Sequence, residues 1–212
     1  MTMPLDFSGA KRYALGRLEQ ELPPALTYHS LAHTRDEVVP AAERLATLEG
    51  VAGEPRLLLL TAASFHDLGY LETRAGHEEP SFRIAREVLP GFGYAPGQIE
   101  IIGGLIRATR LPQTPHTRLE EIMSDADYDV FGADNFWLRV QALRDELAAF
   151  GAVFSDEQWY ADQLNYISAH RYFTASARRL NDKAKQQHIA QLAQRLEVAK
   201  VNALPDQPSQ AS

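Results

Sequence analysis

The chain of 212 residues contains no cysteine, which excludes disulfides, zinc–thiolate centres and thiol nucleophiles; any bound metal must be held by nitrogen and oxygen. It also lacks a positive charge excess. The formal net charge of -7 provides no broad field for recruiting nucleic acid phosphates or an anionic membrane surface. Long apolar runs are missing too: the longest, near Leu57 to Ala63, is far too short to span a bilayer, and residues 1–11 do not resemble a signal sequence. These absences predict a cytoplasmic protein that binds neither a nucleic acid polymer nor a membrane. Period-two alternation and internal repeats are likewise absent, which argues against a sheet or a solenoid.

What is present is helical periodicity, with 45% hydrophobic residues, enough for one sizeable core. The prediction is an all-α, single-domain helical bundle over residues 1–201, with a disordered tail over 202–212 carrying Pro205 and Pro208. Ser8 is the expected N-cap of a first helix that runs to Leu22 and stops at Pro23-Pro24. A second helix covers 30–48, kinked or divided by Pro40. The segment 54–68 is nearly all apolar, as expected of a helix surrounded by others, with Gly69 placed to end it. Further helices are expected over 78–89, 96–109, 118–131, 135–150, 155–172 and 174–201.

Chemistry enters at the end of the apolar segment. His66-Asp67 sets an imidazole beside a carboxylate in the last turn of a buried helix, where leaving both unpaired costs several kcal/mol and a bound cation would offset it. Such a pair also occurs by chance in many proteins, so its company matters. His29 and His33 are four apart and share a face if their segment is helical; taken alone they read as capping or surface residues. In Ser124-Asp125-Ala126-Asp127-Tyr128-Asp129 three carboxylates share one segment, and a solvated acidic face is the plain reading of Asp125 and Asp129. His116 follows Pro115 in a loop and could line the mouth of the same site, while His170 and His188 read as exposed on the C-terminal helices.

The order of these pieces, His33, then His66-Asp67, then Ala126-Asp127, resembles the HD superfamily of metal-dependent phosphohydrolases. The surrounding words agree: Tyr28-His29-Ser30-Leu31-Ala32-His33-Thr34, Ser64-Phe65-His66-Asp67-Leu68-Gly69-Tyr70, and His77-Glu78-Glu79-Pro80-Ser81. The resemblance covers residues 28–132 in strength, with the helices over 133–201 following more loosely. It implies an HD/phosphodiesterase-like bundle in which His33, His66, Asp67 and Asp127 hold a divalent ion. Manganese, magnesium, cobalt, iron, nickel and zinc all suit this donor set. It further implies hydrolysis of a phosphate ester of a small phosphorylated molecule, such as a nucleotide, by a metal-activated water that Asp67 orients or deprotonates. His77 stands where some members supply an extra histidine, and Arg107 and Arg110 are the nearest cations for the phosphate.

Two departures narrow the reading. Tyr70 stands where many HD enzymes and signalling phosphodiesterases have lysine, which disfavours a cyclic dinucleotide. Gly69-Tyr70-Leu71-Glu72 lacks the Glu-Asp pair of the alarmone hydrolases. The alternative reading is a non-catalytic metal- or nucleotide-binding regulatory module, since fold does not dictate function. The long C-terminal helices could equally complete the bundle, form a homo-oligomer interface, or belong to an interaction protein.

Overall fold

The structure is a computed structural model describing residues 4–203, all-helical and without strands among them. The nine α-helices among the described residues are α1 (Phe7–Glu21), α2 (Val39–Leu48), α3 (Gly53–Phe65), α4 (Glu78–Val88), α5 (Pro96–Arg107), α6 (Arg118–Asp127), α7 (Phe136–Ala149), α8 (Asp156–Ala169) and α9 (Ala175–Asn202). Short turns of other pitch lie between them: a π-helical segment at His33–Val38, and 3-10 turns at Leu68–Leu71, Leu89–Phe92 and Asp129–Gly132. No described helix is long and apolar enough to cross a membrane.

α3 is the axis of the fold. Leu58, Leu59, Leu60, Thr61, Ala62, Ala63, Ser64 and Phe65 are all buried, because α1, α2, α4, α5 and α6 pack around it. Its two hydroxyls are accommodated by bonding back to the preceding turn, Thr61 to the Leu57 carbonyl at 2.7 Å and Ser64 to that of Leu60 at 2.8 Å. α8 packs along α9, and the 3-10 turn at Asp129–Gly132 also rests on α9, which joins the C-terminal helices to the rest.

Several boundaries differ from expectation for local reasons. Asp6, not Ser8, caps α1, accepting the Gly9 N–H at 2.8 Å. Pro40 divides the second segment: it lacks the N–H that would bond the carbonyl of Asp36, and the wide π turn lies immediately before it. α3 ends at Phe65, so His66 is its cap and Asp67 lies outside the helix rather than in its last turn. Gly69 does not end α3 by a left-handed cap. Its role is a close approach, since an added Cβ would sit 1.8 Å from the carbonyl oxygen of His77. Asn202, expected in the tail, still belongs to α9; the rest of that tail beyond Ala203 lies outside the described residues.

Candidate metal centre

Three elements converge on one point. The π-helical segment contributes His33, the end of α3 contributes His66 and Asp67, and the last residue of α6 contributes Asp127. His33 Nε2 lies 3.3 Å from Asp127 Oδ1, and His66 Nε2 lies 3.4 Å from the same oxygen. One donor atom from each of His33, His66 and Asp127 lies within 4.8 Å of the other two, so these residues could hold a metal ion. Asp67 borders them, 3.3 Å from His66 Nε2 and 3.8 Å from His33 Nε2.

The outer nitrogens decide what faces inward. His33 Nδ1 meets Glu37 at 3.1 Å, and His66 Nδ1 meets the carbonyl of Ala63 at 2.9 Å. Both acceptors draw the ring proton to Nδ1 and turn the Nε2 lone pairs toward the carboxylates, the outer support typical of metal-ligating histidines. Whenever the two Nε2 atoms carry no proton, the interior is lined by acceptors alone. His66 Nε2 and Asp67 Oδ2 are buried with no hydrogen-bond partner, a costly arrangement that a cation relieves.

The titration behaviour follows from the same geometry. Burial opposes charge on His33, but hydrogen bonds to Asp127 and Glu37 and the nearby Asp67 outweigh it and push the imidazole up to about 9. His66 is raised for similar reasons, burial being outweighed by Asp67 and Asp127. Asp67 and Asp127 are correspondingly held below the usual carboxylate range: burial opposes this, and the histidines prevail. Two protons thus compete with a metal for the same lone pairs.

The support extends to residues that no motif singles out. Glu37 also receives the Asn135 amide at 2.7 Å and lies 3.2 Å from Arg139 Nε. Glu146, buried on α7, accepts the N–H groups of Tyr28 and His29 at 2.8 and 2.9 Å and holds His29 Nδ1 at 2.6 Å. His29 therefore lies in the loop before the π turn, its ring edge-on to His33 at 6.2 Å, and does not share a helix face with it. Tyr70 is sandwiched between His29 and His77, at 4.3 and 4.1 Å between ring centres. The stack steadies His77, whose Nε2 is 3.4 Å from Asp67 Oδ1. Ser81 ties the same turn to α4, receiving the Gly69 N–H at 2.7 Å and donating to the His66 carbonyl at 2.5 Å.

The group opens onto a cavity of about 470 Å3 bordered by His33, Asp67, His77, Arg74, Arg110 and Asp127. Arg110 stands at its mouth, 3.5 Å from Glu78. Arg107, three residues earlier, does not line the cavity: it pairs with Glu79 at 2.9 and 3.0 Å and covers the Phe82 ring. Arg74, absent from the sequence reading, does line it. His116 is outside as well, its N–H donating to Glu120 at 2.6 Å in the cap of α6.

The remaining acidic and histidine expectations change. Asp125 is fully buried and accepts the N–H groups of Phe173 and Thr174, both at 2.8 Å; Asp129 receives Arg44 and Asn181 at 2.7 and 2.8 Å. Neither belongs to a solvated face. His170 lies among the rings of Tyr128, Phe131 and Tyr172, with the buried Lys185 ammonium donating to its Nδ1 at 3.1 Å. His188 stacks on Phe136 at 4.2 Å and bonds the carbonyl of Phe131 at 2.9 Å. In each case a helix packed from a distant part of the chain covers what looks exposed in sequence.

No protein-family model matches the chain, and neither a curated protein nor a solved structure does.

Proposed function

We propose that the chain is a metal-dependent phosphohydrolase of the HD type, cleaving a phosphate ester of a small molecule, with Asp67 joining His33, His66 and Asp127 as the fourth ligand. The observation that carries the reading is the buried His/Asp cluster, with His66 Nε2 and Asp67 Oδ2 buried and unpartnered, opening onto a cavity that has arginine at its border. A site that is purely structural is closed by protein ligands; one that reacts keeps a side open.

A divalent ion held there supplies Lewis-acid activation of water and of a phosphoryl oxygen. Around it, His33 and His66 present neutral Nε2 lone pairs, fixed in that tautomer by Glu37 and Ala63. Asp67 orients the attacking water and takes its proton. Arg110 and Arg74 offset the phosphoryl charge from the cavity wall. As the water oxygen bonds to phosphorus and the ester P–O bond breaks, His77 gives the leaving oxygen a proton. Arg107, turned to Glu79, has no part in this set.

The test is elemental analysis of the purified protein, with a screen of phosphorylated metabolites and generic phosphomonoesters and phosphodiesters in manganese, magnesium, cobalt and nickel. Stoichiometric metal, and hydrolysis abolished in Asp67→Ala together with metal retention, are the expected results. Metal without turnover of any ester transfers the site to the regulatory reading; unchanged metal content in Asp67→Ala removes that residue from the ligand set.

A further inference from the structure

The larger neighbouring cavity, about 620 Å3, contains none of the four metal-site residues. It shares Tyr28, His29, Leu111 and Tyr128 with the metal-site cavity, so the two meet along a common wall. Its volume lies within the range of about 300–1,000 Å3 over which pockets enclose whole small ligands. Its walls are the rings of Tyr28, Tyr128, Phe131 and Tyr166 with the aliphatic Val140 and Leu143. Tyr166 donates its hydroxyl to that of Tyr128 at 2.6 Å, which holds the two rings side by side along this wall.

The charges of this second cavity are informative. Among the described residues Arg139 is its only lysine or arginine, and its charge is paired: it lies 3.2 Å from Glu37, donates to the carbonyl of Tyr28 and stacks over the Tyr28 ring at 4.5 Å. Gln163, Asn165 and the exposed carboxylate of Asp162 also line this cavity, and Asp162 has no ion-pair partner among the described residues. Thus arginines border the metal-site cavity, whereas the second offers aromatic faces, amides and a negative rim.

We infer that this second cavity receives the alcohol portion of the substrate, and that this portion is an aromatic ring system carrying no negative charge of its own. The inference rests on the phosphohydrolase reading for the position of the phosphate and narrows it to monoesters of ring-bearing alcohols. Ring faces contribute dispersion and hydrophobic contact with Tyr28, Tyr128 and Tyr166. A second phosphate or a carboxylate at the far end of the ring would face Asp162 with no free cation to offset it.

The experiment is calorimetric binding with stable probes. Metal-loaded protein is titrated with methylphosphonate, 1-naphthylmethylphosphonate and a naphthylmethylphosphonate bearing a carboxylate on the far ring; metal-free protein is titrated with 1-naphthylmethanol. The naphthyl probe without the carboxylate is expected to bind more than about tenfold tighter than methylphosphonate. The carboxylate should cost about five- to tenfold, and Asp162→Lys, at an exposed position, should remove that cost without weakening the probe that lacks the carboxylate. Leu143→Trp, which fills the cavity, should abolish the naphthyl advantage and leave methylphosphonate unchanged; if that variant does not fold, the probe series and Asp162→Lys still decide. Equal affinity for the methyl and naphthyl probes, or a carboxylate penalty untouched by Asp162→Lys, overturns the inference. The two readings fail separately: loss of metal-dependent methylphosphonate binding refutes the phosphohydrolase reading, whereas naphthylmethanol failing to bind metal-free protein refutes the pocket.

Discussion

Asp125 and Asp127 sit two residues apart on α6 and belong to opposite kinds of environment. Asp125 is buried with both oxygens taken, one by the Phe173 N–H and one by the Thr174 N–H, and so fastens α6 to the start of α9. Asp127 faces two imidazole nitrogens beside a group whose own donor and acceptor atoms are not all paired. A buried carboxylate with its hydrogen bonds complete is a joint. One beside buried polar atoms that lack partners is a candidate binding site. Burial does not separate the two cases, and the accounting of partners does.

The sharpest way to break this comparison is a reciprocal pair of variants. Asp127→Asn should lose more than about a hundredfold in metal affinity, beyond the roughly 10–100-fold typical of outer supporting residues. Asp125→Ala should do the reverse, retaining metal affinity while losing about 3 kcal/mol of stability, because two buried N–H groups lose a charged acceptor. Isothermal metal titration and urea unfolding measure the two axes; equal effects on both axes would erase the distinction.

Gly69→Ala tests whether the turn that carries Asp67 depends on close approach. An added Cβ would meet the His77 carbonyl and the Ser81 hydroxyl, at 1.8 and 2.9 Å, so the turn and the start of α4 must separate. A loss of about 2 kcal/mol is expected, with metal affinity reduced in parallel; a protein of unchanged stability would mean the contact is easily relieved.

A smaller effect concerns the joint region, at His170. Burial, then the charges of Lys185 and Arg171, push this imidazole down to about 3. Its folded value lies below the unfolded one, so its neutral form stabilises the fold fully above about pH 6.5, and that contribution is lost as pH falls from there toward 3. Discounted for partial exposure, the loss at pH 5 should be about 1 kcal/mol. Unfolding of wild type and His170→Gln from pH 7 to 5 measures it: the variant should be the less pH-sensitive.

The smallest effects are expected at the cavity border. Arg110→Ala should raise KM for a phosphate ester about three- to tenfold, while Arg107→Ala, breaking a surface pair, should change KM less than about twofold and stability by less than about 1 kcal/mol. Parallel effects would mean the two arginines are not divided as their ion pairs suggest.

How far these distinctions can be read without coordinates depends on their range along the chain. The helices are legible because apolar spacing and end signals act locally, and α3 announces its central place by being apolar all round. The four candidate ligands are legible as residue types within short words. Their supports are not: His29 and Glu146 are 117 residues apart, and Asn135 and Glu37 are 98 apart, with nothing near either member to mark the other. Arg107 and Arg110 look alike in sequence and diverge because the chain leaves α5 between them, which leaves only Arg110 at the cavity mouth.

By itself the sequence determined that the chain folds as helices, that no thiol could serve a metal, and that Asp125 and Asp127 must point to opposite sides of α6, because each step along a helix turns the chain by roughly 100°. It could not determine what covered the far side. Only packing decided that the start of α9 closes over Asp125 while His33 and His66 gather around Asp127. Side-chain direction is set by neighbouring backbone geometry; burial and partnership are set by segments that meet only once the chain has folded.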